Sequence, residues 1–143
     1  MFYLDTSVIV TYYCPEALSG KAEDFLTNHT RPAISSLSEL EMFSAISRKI
    51  REGGLNRRAG SRIIANFLGH VEGHFFKYIP VESHHYRLAG DWMGLFTTKL
   101  KTLDALHLAI ASSDGLTLVT ADQELSESAK SLAMDVVLLK ADE

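Results

Sequence analysis

Short, mostly apolar stretches alternate with longer amphipathic ones along this chain. Five of the short stretches, at residues 2–4, 33–35, 78–81, 116–119 and 136–139, are predicted to be strands. Between them, apolar side chains recur at helical spacing. Strands that alternate with helices form a parallel sheet covered on both faces. The pattern therefore predicts an α/β protein whose central, mainly parallel sheet has about five short strands flanked by helices.

Two of the predicted helices have clear ends. One covers about residues 38–52, because Ser38 and Glu41 have the spacing of a capping box and Gly53 follows as a stop. The other covers residues 102–111. Further helices are predicted at residues 8–14, before Pro15, and at 17–28, 63–68, 83–93 (capped by Ser83) and 123–132.

Length and composition suit a single domain over residues 1–143. The 143 residues are 46% hydrophobic, which is enough apolar material for one core without disulfide bonds. Cys14 is the only cysteine, so no disulfide can form within the chain, which favours a cytoplasmic protein. No apolar run approaches the length of about 20 residues that a membrane span requires, so no membrane partner is expected.

The charge is distributed unevenly, although the formal net charge is only −4. Acidic residues outnumber basic ones from Asp122 onward, whereas the charged residues at positions 48–62 are all basic apart from Glu52. Basic side chains beside an acidic centre suit a metal-dependent enzyme that cuts phosphodiesters, because they attract a nucleic-acid backbone. A solvated helix face is the alternative for this basic stripe, which consists of Arg48, Lys49, Arg51, Arg57, Arg58 and Arg62.

Four acidic residues stand next to apolar sequence, where a carboxylate is costly to bury: Asp5, Glu41, Asp104 and Asp122. Asp5 and Asp122 directly follow predicted strands, so we expect them at the carboxyl edge of the sheet, where open α/β sheets bind ligands. Two carboxylates about 4 Å apart repel by about 4 kcal/mol at an effective dielectric constant of about 20. A cluster of them needs protons or a cation, and an all-oxygen pocket suits Mg²⁺ or Mn²⁺.

Each of these acids also has an ordinary structural explanation. Asp5 and Asp122 are good N-caps for the helices that follow them, Glu41 fits the capping box, and Asp104 complements the positive end of its helix. Glu39 competes with Glu41, because residues two apart point to nearly opposite sides of a helix. These explanations do not account for the recurrence of the pattern at four places in one small sheet.

Four motifs, in this order, resemble the PIN-domain family across nearly the whole chain. They are Leu4-Asp5-Thr6-Ser7, the segment from Glu41 to Lys49, Leu103-Asp104-Ala105-Leu106-His107-Leu108-Ala109 and Val119-Thr120-Ala121-Asp122. Within that family the chain is most similar to the VapC-type toxins of toxin–antitoxin systems, which are Mg²⁺- or Mn²⁺-dependent endoribonucleases. The resemblance implies a PIN-like fold and metal-assisted hydrolysis of RNA phosphodiesters.

Carried over position by position, the resemblance implies that the four acids bind the metal and carry catalysis. Lys101 departs from many relatives, which have Arg there, and a Lys cannot contact phosphate in a bidentate way. His107 belongs to the same motif and is predicted to pack or to form a hydrogen bond between helices. The predicted substrate contacts come from hydroxyl groups, for which capping or turn formation is the alternative, and from basic side chains: Thr6, Ser7, Thr120, Lys101, Arg57 and Arg58.

The resemblance also implies partners, namely an RNA substrate, a second copy in a homodimer, and a cognate antitoxin whose tail covers the acidic pocket. A net-negative pocket can receive an inserted Arg or Lys. Phe43, Phe67 and Trp92 are candidate anchors for an amphipathic partner helix, and ordinary core residues are the alternative. Two other functions stay open: a non-catalytic PIN-like module that binds RNA or protein, and a stand-alone RNA-processing nuclease.

Overall fold

The computed structural model describes residues 1–14, 19–28 and 31–140. Strands and helices alternate along these ranges, as the apolar pattern predicts. The five strands are β1 (Phe2–Leu4), β2 (Ala33–Ser35), β3 (Lys77–Ile79), β4 (Thr117–Thr120) and β5 (Val136–Leu138). The helices of the described residues are α1 (Thr6–Tyr13), α2 (Ser19–Asn28), α3 (Ser36–Arg51), α4 (Arg57–Glu72), α5 (Ser83–Met93), α6 (Thr102–Ser113) and α7 (Gln123–Ser131).

The strands form one sheet in the order β3-β2-β1-β4-β5, and every neighbouring pair is parallel. The chain first builds one half of the sheet outward from β1 and then crosses to β4 to build the other half. The strand order therefore reverses between β1 and β4, which is the place where open parallel sheets bind ligands beyond their carboxyl ends. The prediction of a mainly parallel sheet of about five strands is confirmed.

Both faces of the sheet are buried, because side chains alternate along each strand. Tyr3 and Leu118 point to the face that α6 and α7 cover, where they pack with Leu108. Leu4 and Val119 point to the opposite face, which α1, α3 and α4 cover. Residues of β1 and β4 thus belong to two separate cores, and Tyr3 lies on the same face as the residue two positions later, Asp5.

The start of α3 differs from the prediction, and the proposed capping box of Ser38 and Glu41 is wrong. Ser35, the last residue of β2, is the N-cap, and its extended backbone (φ −132°, ψ 173°) turns directly into the helix. Its hydroxyl accepts the N–H of Ser38, and the hydroxyl of Ser38 accepts the N–H of Ser35 at 3.0 Å. Ser38 thereby completes the box that Glu41 was expected to complete, so Glu41 lies in the second turn with no part in the cap.

Helix α4 is longer than the predicted 63–68: it covers Arg57–Glu72, because Asn56 caps its start by accepting the N–H of Ala59 at 2.8 Å and the helix continues to Gly73. The remaining helix ends in the described ranges lie close to the predicted ones. Helix α5 begins at Ser83, but Glu82 and not Ser83 occupies the cap position, and Nδ1 of His85 accepts the N–H of Glu82 at 2.9 Å. Pro15, predicted to end the first helix, and residues 17–18, predicted to start the second, lie outside the described residues. Of the helices in the described ranges, none is long and apolar enough to cross a membrane.

Candidate active site

All four predicted acids line one cleft, of about 1180 Å³, at the carboxyl edge of the sheet. Asp5 follows β1 and Asp122 follows β4, the two strands between which the strand order reverses. Glu41 reaches the cleft from α3, and Asp104 from the first turn of α6. Four separate parts of the chain therefore each supply one carboxylate to the same space.

Asp5 is almost completely buried and acts as the N-cap of α1. Its Oδ1 accepts the hydroxyl of Ser7 and, at 3.4 Å, the N–H of Val8, and its Oδ2 accepts the hydroxyl of Thr120 at 2.7 Å. Burial raises the pKa of Asp5 above its ordinary value, although the bonds from Ser7 and Thr120 oppose that shift. Asp5 therefore both caps α1 and supplies a carboxylate to the cleft.

Ser7 and Thr120 hold Asp5 in place from two sides. The oxygen of Ser7 also accepts the N–H of Ala121, and that of Thr120 accepts the N–H of Asp122, each at 3.0 Å. The start of α1 is thereby tied to the turn after β4. Both hydroxyl protons are directed at Asp5, so this geometry assigns Ser7 and Thr120 to the orientation of a carboxylate, and their contact with a phosphate stays a prediction.

Glu41 is held by two donors that meet at a single oxygen. Nε2 of His107 and the hydroxyl of Thr6, the latter at 2.8 Å, both bond its Oε1. Burial, the largest single influence, raises the pKa of Glu41, but the hydrogen bond and charge of His107 and the bond from Thr6 together outweigh it. The pKa of Glu41 therefore lies below its ordinary value. The expected helix–helix hydrogen bond of His107 is confirmed, since it joins α6 to α3.

Glu39 does not compete for the cleft. Its Oε2 accepts the hydroxyl of Tyr78, on β3, at 2.9 Å, and it is not among the residues that line the cleft. Two residues apart on α3, Glu39 and Glu41 face different sides of the helix, as helical geometry requires.

Asp104 feels the charge of the other three acids. Burial and then the charge of Asp122 raise its pKa; His107 opposes that shift, and Asp5 and Glu41 add smaller contributions that raise the pKa. Asp122 itself is exposed and caps α7, because its Oδ1 accepts the N–H groups of Glu124 and Leu125 at 2.9 and 3.2 Å. The cleft is therefore a negative site in which at least one acid is penalised for being ionised.

The donor set fits a hard divalent cation that binds mainly water and phosphate. Within the described residues, no three acidic, histidine or cysteine side chains are grouped tightly enough to hold an ion between them. Asp5, Glu41 and Asp122 each use at least one oxygen for bonds within the protein. Mg²⁺ is usually bound by one or two carboxylates and keeps several waters, so an open set of carboxylates suits it better than it suits Ca²⁺.

Three basic side chains, those of Arg48, Lys49 and Lys101, line the same cleft. Arg57 and Arg58 do not line it; they are exposed in the first turn of α4. The difference follows from the faces of α3, where Glu41, Ser44, Ala45 and Arg48 recur at helical spacing along the cleft. That spacing, counted from Glu41, is the signal in the sequence that separates Arg48 and Lys49 from the rest of the basic stripe.

Sequence reasoning missed the buried groups behind Glu41. The hydroxyl of Tyr3 lies 2.6 Å from Nδ1 of His107 and 2.9 Å from the hydroxyl of Ser35. Tyr3 stands in an apolar run and was interpreted only as part of a strand. Its position two residues before Asp5, on the same strand face, was the available signal.

A parallel sheet whose strand order reverses between β1 and β4, with four acids at that edge, is the arrangement of a PIN domain. The chain belongs to the PIN-domain family, whose model matches residues 2–131. It is similar to Ribonuclease VapC46 of Mycobacterium tuberculosis (strain ATCC 25618 / H37Rv), with 34% identity over 139 residues that cover 94% of this chain and 95% of the relative.

Solved structures share the fold at low sequence identity. A chain from the structure of FitAB bound to the IR36 DNA fragment has a TM-score of 0.75 and 15% identity; the match covers 100% of this chain and 99% of the FitAB chain. VapBC2 from Rickettsia felis, bound to a DNA fragment from its promoter, matches 98% of this chain and 100% of its own with a TM-score of 0.68 and 18% identity. These two similarities confirm the PIN-like fold.

Proposed function

We propose that this chain is a metal-dependent endoribonuclease that hydrolyses RNA phosphodiesters and acts as the toxin of a toxin–antitoxin pair. The observation that carries this proposal is the convergence of Asp5, Glu41, Asp104 and Asp122 in one cleft. The relative with 34% identity is named a ribonuclease, and it is matched over nearly its whole length. If Asp5 served only as an N-cap and Asp104 only as a partner of its helix dipole, they would not need to share a cleft with two further acids.

Mg²⁺ or Mn²⁺ bound among these acids would lower the pKa of a coordinated water and stabilise negative charge on the phosphate. Asp5 and Asp104 are the main proposed ligands, and Glu41 and Asp122 are proposed as further ligands. Asp5 is oriented by Ser7 and Thr120. Glu41 is kept ionised and its carboxylate is anchored at Oε1, so it holds a fixed negative charge at the wall of the cleft.

RNA has to bring its phosphates to a negative site, and the basic walls of the cleft support that step. Arg48, Lys49 and Lys101 neutralise phosphates by direct charge attraction, which does not depend on base sequence. Lys101 precedes α6 by one residue and so stands within one helical turn of Asp104. The proposed substrate therefore lies between the acids and these three cations.

A cognate antitoxin is the proposed partner of an apolar groove between α3 and α4. The groove, of about 500 Å³, is lined chiefly by Phe43, Ile46, Ile50, Ile64 and Leu68. Helix α3 carries this groove on one face and the acidic cleft on the next, so one partner segment can occupy both. An apolar helix face in the groove, followed by an Arg or Lys among the carboxylates, fits these surfaces.

The three candidate anchors have different positions. Phe43 is 45% exposed and lines the groove, whereas Phe67 is fully buried in the core, so the prediction of Phe67 as an anchor is wrong. Trp92 packs from α5 against two of the core clusters. Assembly of the chain as a homodimer belongs to the same proposal.

A cleavage assay with and without the partner tests this function. The purified chain should cut RNA with Mg²⁺ or Mn²⁺, lose that activity in EDTA, and lose it on Asp104→Asn. Co-expression with the product of the adjacent gene should yield a complex in which cleavage is suppressed. Cleavage without a suppressing partner would favour a stand-alone RNA-processing nuclease, and RNA binding without cleavage would favour a non-catalytic module.

A further inference from the structure

A chain of buried hydrogen bonds runs behind the cleft to Glu41. It passes from the hydroxyl of Ser35 to the hydroxyl of Tyr3 at 2.9 Å, then to Nδ1 of His107 at 2.6 Å, and from Nε2 of His107 to Oε1 of Glu41. Ser35, Tyr3 and His107 are 0–2% exposed. Water therefore cannot replace any of these partners without a change in the packing.

The partners can all be satisfied at once. A carboxylate only accepts, so Nε2 of His107 must carry a proton. With a neutral imidazole, Nδ1 accepts the hydroxyl of Tyr3, which in turn accepts that of Ser35; with a charged imidazole, Nδ1 donates to the oxygen of Tyr3, and the hydroxyl of Tyr3 donates to the oxygen of Ser35. In both states the ring of His107 is fixed at its two nitrogens, and its orientation toward Glu41 does not change.

This chain of bonds connects the elements that supply the acids. Ser35 caps α3, which carries Glu41, and His107 lies one turn after Asp104 on α6. Tyr3 stands on β1, two residues before Asp5, so a single hydroxyl on the central strand contacts the N-cap of α3 and a side chain of α6. A purely apolar residue would fill the same space but would leave Ser35 and Nδ1 of His107 without this partner.

We propose that Tyr3 is a positioning residue of the metal site: through His107 it holds the carboxylate of Glu41 in the orientation that binds the cation. This inference rests on the proposed metal-dependent function. Residues that bond to metal-binding groups from behind usually change metal affinity about 10- to 100-fold when they are removed. Ser35 supports Tyr3 in the same role, and Thr6 is the second donor that fixes Glu41.

Tyr3→Phe is the direct test, because it removes one oxygen and keeps the ring in the core. Tyr13→Phe is its matched control: the hydroxyl of Tyr13 also bonds an imidazole, Nδ1 of His70, and neither residue lines the cleft. Both variants are expected to lose some stability, so thermal unfolding does not separate them. The affinity for Mn²⁺, measured on the full chain by calorimetry or by electron paramagnetic resonance, does separate them.

We expect Tyr3→Phe to weaken Mn²⁺ binding by about 10-fold or more, while Tyr13→Phe binds like the wild type. In a Glu41→Gln background, Tyr3→Phe should have no further effect, because its route to the metal is already lost. An unchanged affinity in Tyr3→Phe, an equal loss in Tyr13→Phe, or a full further loss in the Glu41→Gln background would each overturn the inference.

A second variant covers the case in which Tyr3→Phe does not fold. His107→Leu fills the same buried space and removes both imidazole bonds, so it should weaken Mn²⁺ binding at least as much, and wild-type affinity would overturn the inference. The proposed function fails separately: a wild-type chain that binds no Mn²⁺ overturns both, whereas a wild-type chain that binds Mn²⁺ together with an unaffected Tyr3→Phe overturns only the role of Tyr3.

Discussion

Replacement of Asp104 by asparagine should make the metal-free protein more stable. Burial and the charges of Asp122, Asp5 and Glu41 raise the pKa of Asp104, so at neutral pH its ionised form lowers the free energy of unfolding. Within the described residues its carboxylate has no hydrogen bond, so an amide of the same shape removes the charge, and with it the repulsion by the other acids and an opposing attraction to His107. The substitution is therefore a nearly pure change of charge.

We expect Asp104→Asn to raise the free energy of unfolding of the metal-free protein by about 1 kcal/mol. Two charges about 7 Å apart repel by roughly 2 kcal/mol at an effective dielectric constant of about 20. Asp104 is only half-buried and Asp122 is exposed, so solvent and salt screen this repulsion by about half. For a chain of 143 residues the gain corresponds to a rise in melting temperature of about 3–4 °C.

The assay is thermal unfolding in EDTA at pH 7, with Asp91→Asn as the control because Asp91 is exposed on α5 and does not line the cleft. The pKa of Asp104 is higher in the folded than in the unfolded state. The extra stability of the variant is therefore present above the folded-state pKa and disappears as the pH falls below the ordinary carboxyl value of 3.8. Mg²⁺ at ten times its Kd should then stabilise the wild type by about 1.4 kcal/mol and leave Asp104→Asn nearly unchanged.

The reasoning would be refuted by a metal-free Asp104→Asn protein that is no more stable than Asp91→Asn. Such a result would mean that the four acids do not form a common negative centre. A Mg²⁺-dependent stabilisation that survives in Asp104→Asn would, in turn, place the cation elsewhere.

Three further predictions concern the basic stripe, the helix packing and the partner groove. Neutralising Arg48 and Lys49 together, two members of the basic stripe that line the cleft, should weaken RNA binding at all sequences and reduce its salt dependence by about one unit per lost phosphate contact; an unchanged slope in a filter-binding titration would assign them to a solvated face or to a protein partner. Gly69→Ala, in open space on α4, should raise the free energy of unfolding by up to about 1 kcal/mol. At Gly60 a Cβ would lie 2.7 Å from Ile50 and 3.1 Å from Ile46 of α3, so these side chains must shift and Gly60→Ala should be less stable than Gly69→Ala in urea unfolding. Phe43→Asp should abolish co-purification with the antitoxin and leave RNA cleavage by the free chain intact, and retained co-purification would exclude the groove as the docking site.

The sheet could be predicted from the sequence because strands buried on both faces appear as short apolar runs. Each observed strand overlaps a predicted one. The start of α3 could not be predicted in the same way, because Ser35, Ser36 and Ser38 are all suitable caps. The choice depends on the end of β2, and Ser35 still pairs with Ile79 of β3 in the sheet. Pairing between distant residues therefore decides a local feature.

The sequence alone identifies the four acids as candidates, but it does not reveal the side chains that bond to them in the folded protein. Asp5 and Asp122 were predicted from their place after strands, and that place is local information. The hydroxyl of Tyr3, by contrast, bonds partners 32 and 104 residues away, so no window along the chain reveals them. For the same reason the sequence does not show that Arg57 and Arg58 lie outside the cleft, because their distance from it depends on how α4 packs in the tertiary structure.

Asp5 and Asp122 are also the N-caps of α1 and α7, and this second role affects how such a protein can evolve. Asn and Ser cap a helix about as well as Asp does. A substitution of this kind at Asp5 or Asp122 would keep the helix start and relieve part of the charge repulsion, while taking a carboxylate from the cleft. Selection for stability alone would thus drive the chain away from four acids. A descendant released from the need to cut RNA would keep the fold at little cost and could persist as a protein that only binds.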